Sequence, residues 1–359
     1  MAKASPAFTN FTAGELSPRL DGRTDLQKYF NGCKKLQNFI VHPHGGASRR
    51  PGTIFVREVK NSAHNVRLIP FEFNVEQTYI LEFGDQYFRI HKDGGTVVDG
   101  SSNPVEVTTP YAHTDLAKIK FTQSADVMYV AHPDFSPRKI TRTSHTAWTI
   151  AEVDFLRGPF QDENTSTTTL VASGRTGTVN VTASASTFVS TDVGRLIKVH
   201  DGVTKITGFT SATVVATAVQ TNADGRAELM PSYTATTLSA HEGDPSSTGL
   251  EHNDRYQDTA GQFVAQGFKV GQKVTVTGFT TGNNNETSAI IVKVTEDTLL
   301  LAPSADLTDE AAGDSVTISG DLTATTEFSL GAFSTTTGFP SAVAFYEQRL
   351  VFASMLMTR

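Results

Sequence analysis

The chain has 359 residues, of which 38% are apolar and only 19% charged, with Thr, Ser, Gly and Asn filling the difference; that length supports two or three domains with a buried core, and that composition is typical of strand-and-turn proteins. A single cysteine, Cys33, excludes an intramolecular disulfide or a multi-cysteine metal site within one chain; without a signal-peptide pattern or a long apolar run, the expectation is synthesis in a reducing cytoplasm without secretion or membrane insertion. The net charge of −7 is split unevenly, with 10 basic and 4 acidic residues over 1–60 but 9 basic and 20 acidic over 161–330, which argues against a general nucleic-acid-coating role.

Residues 11–53, FTAGELSPRLDGRTDLQKYFNGCKKLQNFIVHPHGGASRRPGT, are rich in Gly, Pro and Arg and poor in hydrophobic periodicity. They read as an irregular arm preceding the first clear strand. From 77 to 95, Tyr79, Leu81 and Phe83 alternate on one face, Gly84-Asp85 is expected to turn the chain, and Tyr87, Arg89 and His91 share one side of the return strand. The plan repeats over 126–155. There Val127, Tyr129 and Ala131 alternate, HPDFSP makes a Pro-bounded turn, the chain resumes from Arg138 to Arg142 and Trp148 to Val153 closes the unit. A third burst, AVAFYEQRLVFAS, covers 342–354. Three such units predict blades of a propeller or a similar repeated sheet.

Composition changes at about Asp162 and changes back at about Ser329. The intervening segment is rich in Thr, Ser, Ala and Val and reads as an insertion carrying two small β-subdomains. Asp192-Val193-Gly194-Arg195 echoes Lys269-Val270-Gly271-Gln272, and Thr207-Gly208-Phe209-Thr210 echoes Thr277-Gly278-Phe279-Thr280. Residues 231–258 between them read as a linker or long loop.

Catalytic patterns fail on spacing. GELSPRLDG lacks a nucleophile elbow. His42 and His44 are two residues apart but have no Cys, Asp or Glu within the next ten positions. His91, His113, His132 and His145 are scattered singly. GGASRRPGT lacks the ending of a phosphate loop, and Arg49 and Arg50 are better suited to bidentate bonds with carboxylates or carbonyls of a partner; contact with passing DNA backbone is the other use considered. Asp306, Asp309, Glu310 and Asp314 do not follow a calcium-loop pattern and read as a solvated acidic face. No catalytic residue, metal ligand or cofactor site is expected.

The arm closely resembles the start of the tail tubular, or nozzle, proteins of short-tailed bacteriophages and their prophage relatives. The resemblance is carried by Gly14-Glu15-Leu16-Ser17-Pro18, Gly22-Arg23-Thr24-Asp25, Tyr29, Asn31-Gly32-Cys33, Leu36-Gln37-Asn38, Pro43-His44-Gly45-Gly46 and Arg49-Arg50-Pro51-Gly52-Thr53. It extends more weakly through 126–148 and Phe345–Leu350. The resemblance implies a virion structural protein made in the bacterial host cytoplasm and built into the tail as a ring, a hexamer in the family. Such a ring continues the DNA channel below the portal and adaptor, and partners the head-tail adaptor, tail fibres or spikes, and transiently the genomic DNA without sequence-specific binding. The interface it implies is Gly14, Glu15, Leu16, Ser17, Pro18, Arg23, Asp25, Tyr29, Asn38, Gly45, Gly46, Arg49, Arg50 and Pro51.

The expected fold is mainly β, with an irregular platform arm at 1–60, a propeller-like body at 61–161 and again at 330–359, and a fin-like insertion at 162–329 made of a duplicated pair of small β-barrel- or sandwich-like subdomains. Family members run well beyond the last strand here, so the expected propeller is incomplete. The competing expectation is a tail-associated polysaccharide depolymerase or a receptor-binding β protein. A depolymerase needs paired carboxylates in an aromatic-lined groove, whereas Trp148, the only Trp, falls in a core-like pattern.

Overall fold

The computed structural model describes residues 8–244, 246, 252–303 and 305–353. They form two compact units, one comprising the residues up to Glu58 with Asp93–Thr96, the other Val59–Lys92 with the residues from Val97 onward. The chain is mainly β.

The first unit contains short strands where the sequence suggested irregular chain. Gly14–Glu15 pairs in parallel with Gly32–Cys33, and Phe39–Val41 pairs antiparallel with Ala47–Arg49. The HPHGG stretch is the loop of that hairpin, closed by the His42 N–H on the Gly46 carbonyl at 2.8 Å. Two 3-10 turns, Pro18–Leu20 and Gln27–Asn31, fill the rest. Gly32 is required by close approach, because a Cβ there would meet the Leu16 side chain at 2.6 Å.

In the second unit, Arg67–Glu72, Thr78–Gly84, Tyr87–Lys92 and Glu106–Thr108 pair in that order as an antiparallel meander. Lys120–Ser124, Val127–His132, Phe135–Arg142 and Trp148–Glu152 form a second meander of the same kind. The two sheets share one apolar core containing Phe71, Tyr79, Leu81 and Phe83 from the first and Met128, Val130, Ile140 and Trp148 from the second. The Trp148 ring meets Phe71 at 4.8 Å and Tyr79 at 5.3 Å. A third hairpin, Ala342–Tyr346 with Arg349–Ala353, brings Phe345 edge-on to Tyr129 at 6.0 Å.

Two local expectations shift. Gly84 pairs with Tyr87, so the turn is Asp85-Gln86, one residue later than expected; Gly84 is needed because a Cβ would strike the Tyr87 ring at 2.2 Å. In the second meander Met128 and Val130 point into the core and Tyr129 points away. Both faces of that strand are apolar, so alternation alone did not identify the inner one.

The segment 162–329 builds two further sheets. Six strands in the order Leu170–Ala172, Thr178–Ala183, Val214–Val219, Gly202–Ser211, Leu196–Val199 and Phe328–Leu330 enclose one core. Seven strands curl around another, running Ser232–Ala235, Val316–Gly320, Lys273–Thr277, Ala289–Val294, Thr298–Leu301, Arg255–Asp258 and Leu238–His241. Three of these, Ser232–Ala235, Leu238–His241 and Arg255–Asp258, lie in the stretch read as a linker. Their short polar-apolar alternation is paired by strands up to 87 residues away, as for Ser232 with Ser319, a constraint invisible locally.

The sequence echo is structural in its first half. Gly194 donates to the Ile206 carbonyl and Ile206 to that of Arg195, just as Gly271 donates to Ile291 and Ile291 to Gln272, all at 2.8–2.9 Å. Both glycines hold φ near +90°, at 93° and 89°. The second half does not correspond. Thr207-Gly208-Phe209-Thr210 lies inside the strand Gly202–Ser211, whereas Gly278 opens the loop after Lys273–Thr277.

Asp258, 1% exposed, organises one end of the curled sheet. Its carboxylate accepts from Thr237 Oγ1 at 2.5 Å, Tyr233 OH at 3.0 Å and the amides of Ala260 and Gln262 at 3.0 Å. Burial pushes the carboxyl up, but these donors outweigh it and hold it below its ordinary value. Its ionised form is therefore stabilised by folding, fully so above the unfolded pKa of about 3.9 and progressively less as pH falls through that value toward the lower folded one. Asp258→Asn is expected to lower the melting temperature at neutral pH and to flatten its decline on acidification. Parallel acid melting curves for the two proteins would count against this account.

Candidate functional site

The arm residues singled out by sequence divide into those engaged within the arm and those left free. Glu15 Oε2 accepts the Leu36 N–H at 2.8 Å, tying the pattern around Gly14 to the Leu36-Gln37-Asn38 stretch. Gly14 takes φ 65°. Ser17 Oγ accepts the Arg19 N–H at 3.4 Å, with Pro18 starting the 3-10 turn, and Leu16 lies over Gly32. Arg23 forks onto Asp25 with two bonds of 2.7 Å, so this pair is satisfied internally. The Tyr29 ring meets Phe30 edge-on at 5.8 Å.

Asn38, at φ 62°, accepts Arg50 Nε on its side chain and the Arg50 N–H on its carbonyl, both at 2.9 Å. Arg50 also reaches the Pro51 carbonyl at 3.5 Å. Gly45 donates its N–H to the His42 carbonyl at 3.1 Å, and Gly46 accepts from His42. The two neighbouring arginines therefore differ. Arg50 braces the arm, while the Arg49 guanidinium makes no hydrogen bond or ion pair among the described residues and is available to a partner.

Packing is the most informative property of this unit. Between residues 8 and 58 only Gly32 and Gly45 are buried, so no side chain of the arm is. Several of its large apolar side chains face outward instead, with Ile54 84% and Phe55 82% exposed and Phe30, Phe39 and Ile40 about half exposed, at 58%, 50% and 48%. Sequence composition suggested this segment; the exposure of its apolar residues became visible only in the structure.

The residues considered for chemistry take structural positions. His145 Nδ1 lies 2.5 Å from Tyr79 OH, His91 Nε2 is 3.0 Å from Glu82, and His132 bonds the Asp115 carbonyl and the Asp134 N–H. His42 Nε2 lies 2.8 Å from Ser48 Oγ and its ring stacks on His44. Glu310 and Asp314, expected on a solvated acidic face, instead cap the 280–284 loop. Glu310 accepts from Thr280 N, Thr281 N and Asn284 Nδ2, and Asp314 accepts from Thr280 N and Oγ1. Asp309 accepts the Glu242 N–H at 3.0 Å. A cavity of about 250 Å³ is lined by Asp134, Arg138, Glu152, Phe155, Lys205 and Phe333, among others. Its carboxylates are paired, Asp134 with Lys118 at 2.8 Å and Glu152 with Arg138 at 2.9 Å.

His113, read as solitary, is not. It stacks on His64 beside Asp85, a grouping hidden from sequence because its members come from three separate loops. No protein-family model matches the chain, and no curated protein matches it at a significant level.

Proposed function

We propose that this chain is a structural protein of a short phage tail that assembles into a ring continuing the DNA channel, with the segment up to Glu58 as its assembly arm. The observation that carries the reading is an arm of some fifty residues with defined backbone bonding but no buried side chain, and with Ile54 and Phe55 almost fully exposed. Apolar groups so placed gain burial only from another surface, and contiguous exposed apolar residues mark interaction sites. The resemblance of residues 11–53 to nozzle proteins supports neighbouring copies and the head-tail adaptor as the partners. The two antiparallel sheets sharing one core suit propeller blades in the channel wall, and the acidic 162–329 segment suits an outward fin holding fibres or spikes.

The test is assembly. Full-length protein is expected to form rings, alone or on the adaptor, seen by electron microscopy and native mass spectrometry, and a chain lacking residues 1–53 is expected to remain folded but monomeric. Rings of the shortened chain, or a full-length chain that stays monomeric at high concentration with and without adaptor, would overturn the proposal.

A further inference from the structure

His64, Asp85 and His113 each offer one ligand atom, and these atoms all lie within 4.8 Å of one another. His64 Nδ1 is 3.7 Å from Asp85 Oδ2, and His113 Nδ1 is 3.5 Å from Asp85 Oδ1. The imidazoles stack in parallel, with centroids 3.9 Å apart and planes 7° apart. For comparison, ligands about 2.0–2.1 Å from a tetrahedral zinc stand roughly 3.3–3.4 Å from each other.

The surrounding bonds fix how the groups present themselves. Asn61 Oδ1 accepts the Ala63 N–H at 3.0 Å, which turns Asn61 Nδ2 toward His64 Nδ1 at 3.3 Å. An amide donor at that position selects the tautomer with its proton on Nε2 and a lone pair on Nδ1. His113 Nδ1 is shielded from solvent and makes no hydrogen bond. Asp85 accepts the His113 N–H at 3.0 Å, which fixes the carboxylate beside the two rings. The Nδ1 atoms of two imidazoles thus converge on one carboxylate, a grouping that a bound cation would stabilise.

Backbone bonds hold Asp85 and His113 together. Asp85 lies in the two-residue turn of a hairpin. The loop of His113 is zipped to that turn by the Gln86 N–H on the Tyr111 carbonyl at 2.8 Å and the Thr109 N–H on the Gln86 carbonyl at 2.9 Å, with Tyr111 fully buried.

We infer that His64, Asp85 and His113 bind one divalent transition-metal ion of zinc-like preference, with water in the remaining position. Two imidazoles and a carboxylate suit zinc, cobalt or nickel better than magnesium or calcium. The ion would staple the chain entering the first meander to the turn and the loop at that end of the sheet. This does not depend on the proposed function.

The test uses untagged full-length protein treated with chelator and then titrated with Zn²⁺ by calorimetry, with thermal melting alongside. One Zn²⁺ per chain and a raised melting temperature are expected, together with the visible absorption of tetrahedral Co²⁺ when cobalt is used; Mg²⁺ should do neither. His113→Gln, His64→Gln and Asp85→Asn should each weaken Zn²⁺ at least ten-fold, since all three side chains are partly exposed and their loss should leave the fold intact by circular dichroism. His42→Gln/His44→Gln should bind like the parent. Zn²⁺ binding that is absent, that survives His64→Gln/His113→Gln, or that disappears with the His42/His44 variant would overturn the inference. So would a cluster that responds only to acidification.

Discussion

Replacing Arg195 with alanine is expected to cost about 3–5 kcal/mol of local stability where the 162–329 segment leaves the body, because it strips the partner from a buried charge. Arg195 and Asp192 are 5% and 1% exposed and pair at 3.0 Å. The same guanidinium donates to the Gly331 carbonyl and to Gln161 Oε1, both at 2.7 Å, while Asp192 also accepts Val189 N and Thr336 Oγ1. Burial works against the Arg195 charge and Asp192 pulls it back. Alanine leaves Asp192 without its cation, and Gly331 and Gln161 without a donor. Hydrogen exchange at the amides of Gln161, Asn164 and Gly331 should accelerate by about a hundred-fold or more, a tenfold change being about 1.4 kcal/mol. Asp192→Asn combined with Arg195→Gln should lose less than Arg195→Ala alone, since no charge is then stranded. Exchange unchanged in Arg195→Ala would show that the clamp carries little.

Ile54→Asp/Phe55→Asp and, separately, Arg49→Glu should abolish ring formation while leaving the melting temperature of the monomer unchanged within error. These side chains are exposed and make no bond that holds the fold, so stability should move by no more than about 0.5 kcal/mol; assembly should suffer from a charge placed in an apolar contact or from like-charge repulsion. Arg50→Glu should differ from Arg49→Glu by lowering the arm's own order, because Arg50 is tied to Asn38. Sedimentation velocity and electron microscopy read the first effect, and protease sensitivity of the arm the second. Wild-type rings from the Ile54/Phe55 variant would remove the arm from the interface.

What the sequence conveyed depended on how local the determining physics was. Alternation at Tyr79, Leu81 and Phe83 was legible because one face of that strand is buried and the period is two. At Met128 and Val130 both faces are apolar, and the packing of the other meander chose between them. The strands at Ser232–Ala235 and Arg255–Asp258 are short and polar, and only distant partners make them strands. The Gly194-Arg195 and Gly271-Gln272 echo was legible because a left-handed glycine is a local requirement, while the apparent second match failed because chain between the elements differs in length. His64 and His113 are 49 positions apart, and their meeting depends on the register of a hairpin, which composition cannot reveal.

The chain entering the 162–329 segment and the chain leaving it run side by side. Phe160 bridges Gly331, and the amides of Gln161 and Asn164 donate at 2.8 Å to the carbonyls of Leu330 and Phe328. Ends held this close are the geometry that exchange of the segment between positions 164 and 328 as a cassette would require. One chemical condition on such an exchange lies at Gly331. Arg195 and the Leu196 carbonyl, which serve the carbonyl and the N–H of Gly331, both belong to the cassette, so every replacement must bring its own donor and acceptor to that residue or open it to water.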